Sequence, residues 1–426
     1  MGEVSPHGAE RAQQSARPSL DVRTRRMDAV RPVSVAELVD EVGPDLAARH
    51  GDLSARAQER LGLPPLVLRF GPDACTIDGG TVRPGADPDG AILEVEPAAL
   101  TDLLTGVRST YGLVFAGGGR LAMGSMTTVL GWDQVLQAFT DGRPLHEPGR
   151  LGFVARTGGE LDLEQAFGPE DDDDDIAHFV AQAGFCRLRG WVDPSLLPRI
   201  AGEVTQAAQR SERDDPNRWW ATLEDGTERC IRVMYLLESS ASMAALVDGP
   251  EYTRLGGLFP DGHRVHRENP QASEALIKPL HVASGLTEFP WHRDCSMGGH
   301  AYHCAAYAIG LPLGATGGDA GYLRVVAGSH RVSTPPPGAL EGFDPALPVL
   351  AVDTAPGDLT IHLGCTLHGT RPPRSAERIV TYTTFSLPPR EPGERRLERR
   401  PELQDTALSA TRRGAAASAS SSGPTV

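Results

Sequence analysis

From about residue 300 onward the chain is a series of short strand-like runs broken by glycine and proline. "AYHCAAYAIGLPL", "GYLRVVAGSH", "LPVLAVD", "DLTIHLG" and "RIVTYTTFSLPP" follow one another with turn residues between them. β-Branched and aromatic side chains suit a pleated, half-buried surface, and the Gly/Pro clusters end each run early. Many short strands with such punctuation point to a β-sandwich or jelly roll. Ahead of them, "IAHFVAQAGF" reads as a helix ending at Gly184, with a strand at Phe185–Leu188. Asp193-Pro194 is an N-cap and N1 pair for a second helix. Both helices are expected to pack outside the sheets.

An earlier block, about 33–150, has a different texture. "LVLRF" (66–70) and "AILEVE" (91–96) read as strands, and "DGGTVRPGADPDG" (78–90) is turn-rich. "EPAALTDLLTG" (96–106) reads as a short helix, with Pro early and Gly at its end. "GLVFAGGGRLAMGS" (112–125) reads as strand, Gly turn, strand. "MTTVLGWDQVLQAF" (126–139) carries Val129, Leu130, Val135, Leu136 and Phe139 at helical spacing. Gly117-Gly118-Gly119 lacks the Lys-Ser/Thr ending of a phosphate loop. The two blocks meet at "GPEDDDDDIAHF" (168–179), where the last aspartates are expected to sit at a helix N-terminus.

The chain has 426 residues, which at roughly 100–200 residues per domain favours two or three domains over one. The expected organisation is a disordered stretch 1–32, a domain 33–150, an acidic linker 151–175, a second domain 176–390, and a disordered tail 391–426. A formal charge of −15 argues against a nucleic-acid partner, since phosphate contacts need a basic surface. The six cysteines form no C-x-x-C pair, so reduced core or pocket cysteines in a cytoplasmic protein are expected, not a zinc finger. The N-terminal stretch lacks the apolar segment of a secretory signal. No run of 18 apolar residues exists, so no membrane span is expected.

"FPWHRDCSMGGH" (289–300) and "CTLHGTRPPRSAERIVTYTTF" (365–385) hold the candidate chemistry. His292, Asp294 and His368 make a two-histidine, one-carboxylate set, which leaves coordination positions open as non-haem Fe(II) oxygenases require. Structural zinc would close its site with a fourth protein ligand. Strand alternation places Arg378, Val380, Tyr382 and Thr384 on one face. An inward arginine needs an anionic partner, which a dicarboxylate cosubstrate would supply, with Thr370 adding a hydroxyl. His362 competes with His368, but only His368 has the Gly-Thr and Arg context. His281, His300, His303 and His330 read as pocket or loop histidines. Lys278 in "LIKPLH" reads as a solvated lysine, with a contact to the cosubstrate's 1-carboxylate or to the substrate as the alternative.

These residues resemble the phytanoyl-CoA dioxygenase family of Fe(II)/2-oxoglutarate oxygenases. The resemblance covers most of 175–390. It rests on "FVAQAGFCRLRGWVDPSLLPRI", "WHRD", "GGDAGYLRVVAGSHR", "PGDLTIHLGCTLHGT" and the following arginine. It implies a double-stranded β-helix (jelly roll), with His292, Asp294 and His368 as iron ligands and catalytic centre. Arg378 and Thr370 would hold 2-oxoglutarate. The implied reaction uses O2 to decarboxylate 2-oxoglutarate to succinate and oxidise an aliphatic carbon of a small molecule. Because the carboxylate ligand is present, hydroxylation, desaturation or ring chemistry is favoured over halogenation. The segment "DGAILEVEPAALTDLLTG", with its following Gly-flanked strand and apolar helix, resembles sterol-carrier-protein-2-like domains. That implies an α/β accessory domain with a lipid-like ligand. The expected fold is therefore an α+β two-domain chain. Its oligomeric state is not legible. Pocket specificity is expected in loops such as Arg213–Arg232 and Leu255–Pro279. Two rival readings are a non-catalytic lipid-binding protein on a degenerate scaffold and a zinc hydrolase or isomerase using the same triad.

Overall fold

The computed structural model describes residues 17, 18, 20, 33–106, 108–116, 118–285, 289–297, 306–314, 321–334 and 347–387. The sequence ranges 1–16 and 388–426 lie outside the described residues, as do His300, His303 and Cys304.

The N-terminal unit starts with a capping box, in which Ser34 and Glu37 satisfy each other's backbone N–H groups at α1 (Val35–Glu37). A π-helical turn leads into α2 (Gly43–Leu61), which ends on Gly62 in the left-handed conformation. Five strands follow: β1 (Leu66–Phe70), β2 (Asp73–Asp78), β3 (Thr81–Pro84), β4 (Ala91–Val95) and β5 (Gly119–Met123). They form one sheet in the order β3-β2-β1-β4-β5, with β1 and β4 parallel. Helices α3 (Pro97–Leu104), α4 (Thr110–Ala116) and α5 (Met126–Asp141) complete the unit. Its core joins Leu66, Leu68 and Leu93 of the sheet to Trp132 and Val135 of α5.

One sequence expectation fails here. Residues 112–116 are helical, not a strand. Ser109 caps the helix by accepting from Gly112 N–H at 2.7 Å, and Thr110 N–H is held by Asp133 Oδ1 at 2.6 Å. That cap and the burial of Leu113 override the strand propensity of a Leu-Val-Phe run. The stretch 78–90 contains strand β3, whose residues pair with β2 across Gly79-Gly80.

The second unit begins with β6 (Ala166–Phe167) and α6 (Asp173–Ala183). Asp172 caps α6, and Asp173–Asp175 occupy its first turn. Arginines neutralise them: Arg17 reaches Asp174 at 2.6 Å, Arg254 reaches Asp173 at 2.7 Å and Arg156 reaches Asp175 at 2.6 Å. At the other end Gly184 has φ +83°, and a Cβ there would overlap Thr366 and the ring of His330. Gly184→Ala is therefore expected to cost about 2–4 kcal/mol, from left-handed strain plus overpacking. Urea unfolding would measure it, and an unchanged midpoint would refute this account.

The remaining elements are β7 (Phe185–Leu188), α7 (Leu197–Gln209), β8 (Arg218–Leu223), β9 (Glu228–Val233), α8 (Leu236–Ser239), α9 (Ala241–Val247), α10 (Pro250–Gly256), β10 (Ser273–Lys278), β11 (Val282–Ser284), β12 (Phe289–His292), β13 (Ala306–Pro312), β14 (Leu323–Val326), β15 (Val349–Val352), β16 (Leu359–Leu363), β17 (His368–Thr370) and β18 (Arg378–Ser386). A large sheet runs β11-β8-β9-β10-β18-β13-β16-β7-β6, and a small one β12-β17-β14-β15. The run β10-β18-β13-β16 against β12-β17-β14-β15 deals eight strands to two sheets in the winding of a jelly roll. One face of the large sheet is apolar and carries the helices. Tyr307 and Phe385 stack at 5.5 Å beneath Tyr252, Leu255 and Phe259. The opposite face, with Lys278 beside Arg378 and Glu274 beside Tyr382 in register, turns toward the small sheet. The segments 213–232 and 255–279, expected as loops, hold β8, most of β9 and β10. Residues 218–223, 228–232 and 273–278 of these segments are therefore sheet wall, where successive side chains turn to opposite faces.

Five cysteines, Cys75, Cys186, Cys230, Cys295 and Cys365, are free and buried. No helix among the described residues is long and apolar enough to cross a membrane.

Candidate metal centre

Strand β12 ends at His292, which lies opposite His368 of β17 in register. Asp294 opens a 3-10 turn directly after β12. Backbone pairing therefore brings together residues that are 76 positions apart in the chain. The Oδ1 of Asp294 lies 3.5 Å from His292 Nε2 and 3.6 Å from His368 Nε2. One ligand atom from each of the three residues falls within 4.8 Å of the others. His368 Nδ1 bonds the carbonyl of Thr366 at 2.9 Å, which leaves Nε2 facing the cluster.

The electrostatics match a cation-binding set. Burial, then the neighbouring His292, push His368 down to about 3, so its imidazole is neutral. Desolvation alone would raise the Asp294 carboxyl, but His368, His292 and His362 hold it well below the ordinary carboxylate range. Neutral nitrogen and ionised oxygen are the states a divalent metal needs in its ligands.

His362 stands closer to this centre than its sequence context indicates. Its Nε2 lies 3.6 Å from Asp294 Oδ2, on the carboxylate oxygen turned away from the other two imidazoles. Its ring sits 4.4 Å from that of His368 and meets Tyr382 edge-on at 5.7 Å. Its buried Nδ1 has no hydrogen-bond partner among the described residues. The even spacing of six between His362 and His368 was the available signal, but the strands carrying them belong to opposite sheets. His362 thus faces the cluster from across the barrel.

A second cluster lies on the inward face of the large sheet. Arg378 is 4% exposed; its Nη1 donates to Gly321 O at 2.7 Å, and its Nε has no partner among the described residues. Lys278, expected to be solvated, is 1% exposed and its Nζ bonds the hydroxyl of Thr370. The physical reason is register. Lys278 pairs with Arg378 across β10 and β18, and the period of two that turns Glu274 and Leu276 inward turns Lys278 inward as well. Two buried cations thus lie side by side with a hydroxyl, an arrangement whose charge an anion would offset. Of the remaining histidines, His281 is an exposed loop residue with φ +55°, and His330 is buried against the carbonyl of Ala181.

Residues 180–380 match the sequence model of the phytanoyl-CoA dioxygenase (PhyH) family, a little under half of the chain. A search of the curated proteins finds no match. Among solved structures, AviO1 from Streptomyces viridochromogenes Tue57 is 23% identical, with 50% of this chain and 94% of that chain covered and a TM-score of 0.39. EctD from S. alaskensis, solved with 2-oxoglutarate and 5-hydroxyectoine, is 18% identical over 57% of this chain and 86% of its own, with a TM-score of 0.42. SnoN, a non-haem alpha-ketoglutarate-dependent epimerase from nogalamycin biosynthesis, is 18% identical over 49% and 79%, with a TM-score of 0.38. The jelly-roll assignment rests on the strand order and not on these superpositions. Residues 180–380, which contain every member of the metal and anion clusters, form a phytanoyl-CoA dioxygenase (PhyH) family domain.

Proposed function

We propose that the chain is an Fe(II)- and 2-oxoglutarate-dependent oxygenase that hydroxylates or desaturates an aliphatic carbon of a small molecule. The observation that carries this reading is the pairing of a three-residue His/Asp/His cluster with two buried, neighbouring cations inside the same barrel. His292, Asp294 and His368 would hold iron, and Arg378, Lys278 and Thr370 would hold the distal carboxylate of 2-oxoglutarate. Iron with 2-oxoglutarate and O2 supplies the oxidising chemistry, with succinate and CO2 as coproducts. The residues fit: the imidazole of His368 is neutral and aimed by Thr366, and the orphaned Arg378 Nε offers a donor for an anion.

The protein's own contribution is positioning and a dry wall. His362 orients the second oxygen of Asp294, and the cation pocket sets the direction from which the cosubstrate reaches the centre. The inward face continues through apolar Leu276 and Val380 to the Arg232–Glu274 pair, with Arg232 stacked 4.0 Å over Trp219. That mixture suits a specialised metabolite with both apolar and polar parts. The N-terminal unit, similar in sequence to sterol-carrier-protein-2-like domains, is read as an accessory domain that recognises the apolar part.

Anaerobic addition of Fe(II) and then 2-oxoglutarate tests the reading. A weak visible metal-to-ligand charge-transfer band is expected, followed by O2-dependent succinate formation. Iron binding without a band would remove 2-oxoglutarate as cosubstrate and leave a hydrolase or isomerase using the triad.

A further inference from the structure

Arg293, between two of the proposed ligands, is the feature that the metal and anion clusters leave unused. Its side chain points away from them. Nε donates to Cys365 O at 2.9 Å, and Nη2 donates to Ser329 O at 3.1 Å and to the hydroxyl of Thr334. No carboxylate lies within ion-pair distance of it among the described residues, and burial lowers its pKa. A desolvated arginine on carbonyls is costly, so the return lies in geometry: one planar fork reaches three acceptors on two separate segments.

Both segments lead to the metal set. Cys365 belongs to the turn that delivers His368. Ser329 also accepts, through its hydroxyl, from Leu367 N–H at 2.8 Å, and Leu367 O accepts from Val326 N–H at 2.9 Å. The guanidinium thus ties the His292–Asp294 arm to the His368 arm. The far end of the same segment is docked on the N-terminal unit. Ser333 hydroxyl donates to Gln134 Oε1 of α5 at 2.7 Å, and His146 N–H donates to Ser333 O at 2.8 Å. Ser333 and Thr334 are buried there. Helix α4 packs on the 3-10 turn that begins at Asp294, and Asp133, which holds α4, lies within electrostatic reach of Arg293.

We infer that Arg293 is a positioning residue of the metal centre, and that the N-terminal unit holds it in place through Gln134, Ser333 and Thr334. This rests on the reading of His292, Asp294 and His368 as metal ligands. The N-terminal unit is then part of the metal centre's support.

The test is a Co(II) titration of the metal-free full chain, read by ligand-field absorption, on wild type and on the Arg293→Met, Arg293→Lys and Gln134→Leu variants. Arg293→Met is expected to weaken Co(II) about 10–100-fold and to shift the absorption bands, as losses of outer partners do. Arg293→Lys should recover part of that loss. Gln134→Leu, some distance from the metal, should weaken binding about 3–10-fold in the same direction. Circular dichroism of each metal-free variant guards against simple unfolding. Wild-type affinity and spectrum in Arg293→Met overturn the inference. So does wild-type behaviour of both milder variants, even where Arg293→Met does not fold. Failure of wild type to bind Co(II), or binding unaffected by His368→Ala, overturns the ligand assignment itself.

Discussion

Replacing His368 with alanine is expected to weaken Fe(II) binding at least about 100-fold and to abolish 2-oxoglutarate-dependent turnover. Loss of an outer partner of a metal ligand already costs about 10–100-fold, so loss of a ligand sets that range as a floor. His368 is buried in the short strand β17, fixed through Nδ1 by the Thr366 carbonyl, and held neutral by burial. Alanine removes the imidazole without disturbing the backbone pairing to His292 and Val325. The folded variant should keep its far-UV dichroism and lose the charge-transfer band. His362 makes this result informative, since its Nε2 is only 3.6 Å from the same carboxylate. Near-wild-type iron affinity in His368→Ala, abolished only by adding His362→Ala, would mean that His362 is the ligand.

Replacing Arg378 with methionine is expected to leave metal affinity unchanged and to weaken 2-oxoglutarate about 30–100-fold. Truncating one partner of a buried hydrogen-bonded charge pair costs roughly 2–5 kcal/mol. Lys278 and Thr370 remain in place to bind the carboxylate, so the low end applies. Stability of the protein without cosubstrate should change little. The variant leaves Gly321 O without its donor, but it also removes one of two neighbouring buried cations. The diagnostic readout is the thermal stabilisation that 2-oxoglutarate confers on metal-loaded protein, which follows its affinity by mass action. Equal stabilisation of wild type and Arg378→Met would show that the cosubstrate, if any, binds elsewhere. Arg378→Lys should fall between the two, because an ammonium cannot reproduce the bidentate fork.

Local signals in the chain carried much of the architecture. The Gly184 stop, the Asp193-Pro194 start, the helix at 126–141 and the strands at 66–70, 359–363 and 378–386 each depend on caps, turn residues and periodicity within a few positions. Where a tertiary partner decided the outcome, the local reading failed. Thr110–Ala116 is helical because Asp133, more than twenty residues away, holds its first turn. Lys278 is buried because β10 pairs with β18, a fact that no lysine in "LIKPLH" announces.

By itself the sequence determined which residues have the chemistry of ligands: a His-x-Asp on a strand end, a distant His-Gly-Thr, and an arginine placed by alternation. Spacing and side-chain type are local properties, and they survive in a linear string. Only the tertiary structure decided that Lys278 joins Arg378, that His362 faces Asp294 from the opposite sheet, and that Arg293 bonds the 329–334 segment that also meets Gln134. Those relations come from strand register and from packing between segments far apart in sequence, where a shift of one residue would turn each side chain to the other face.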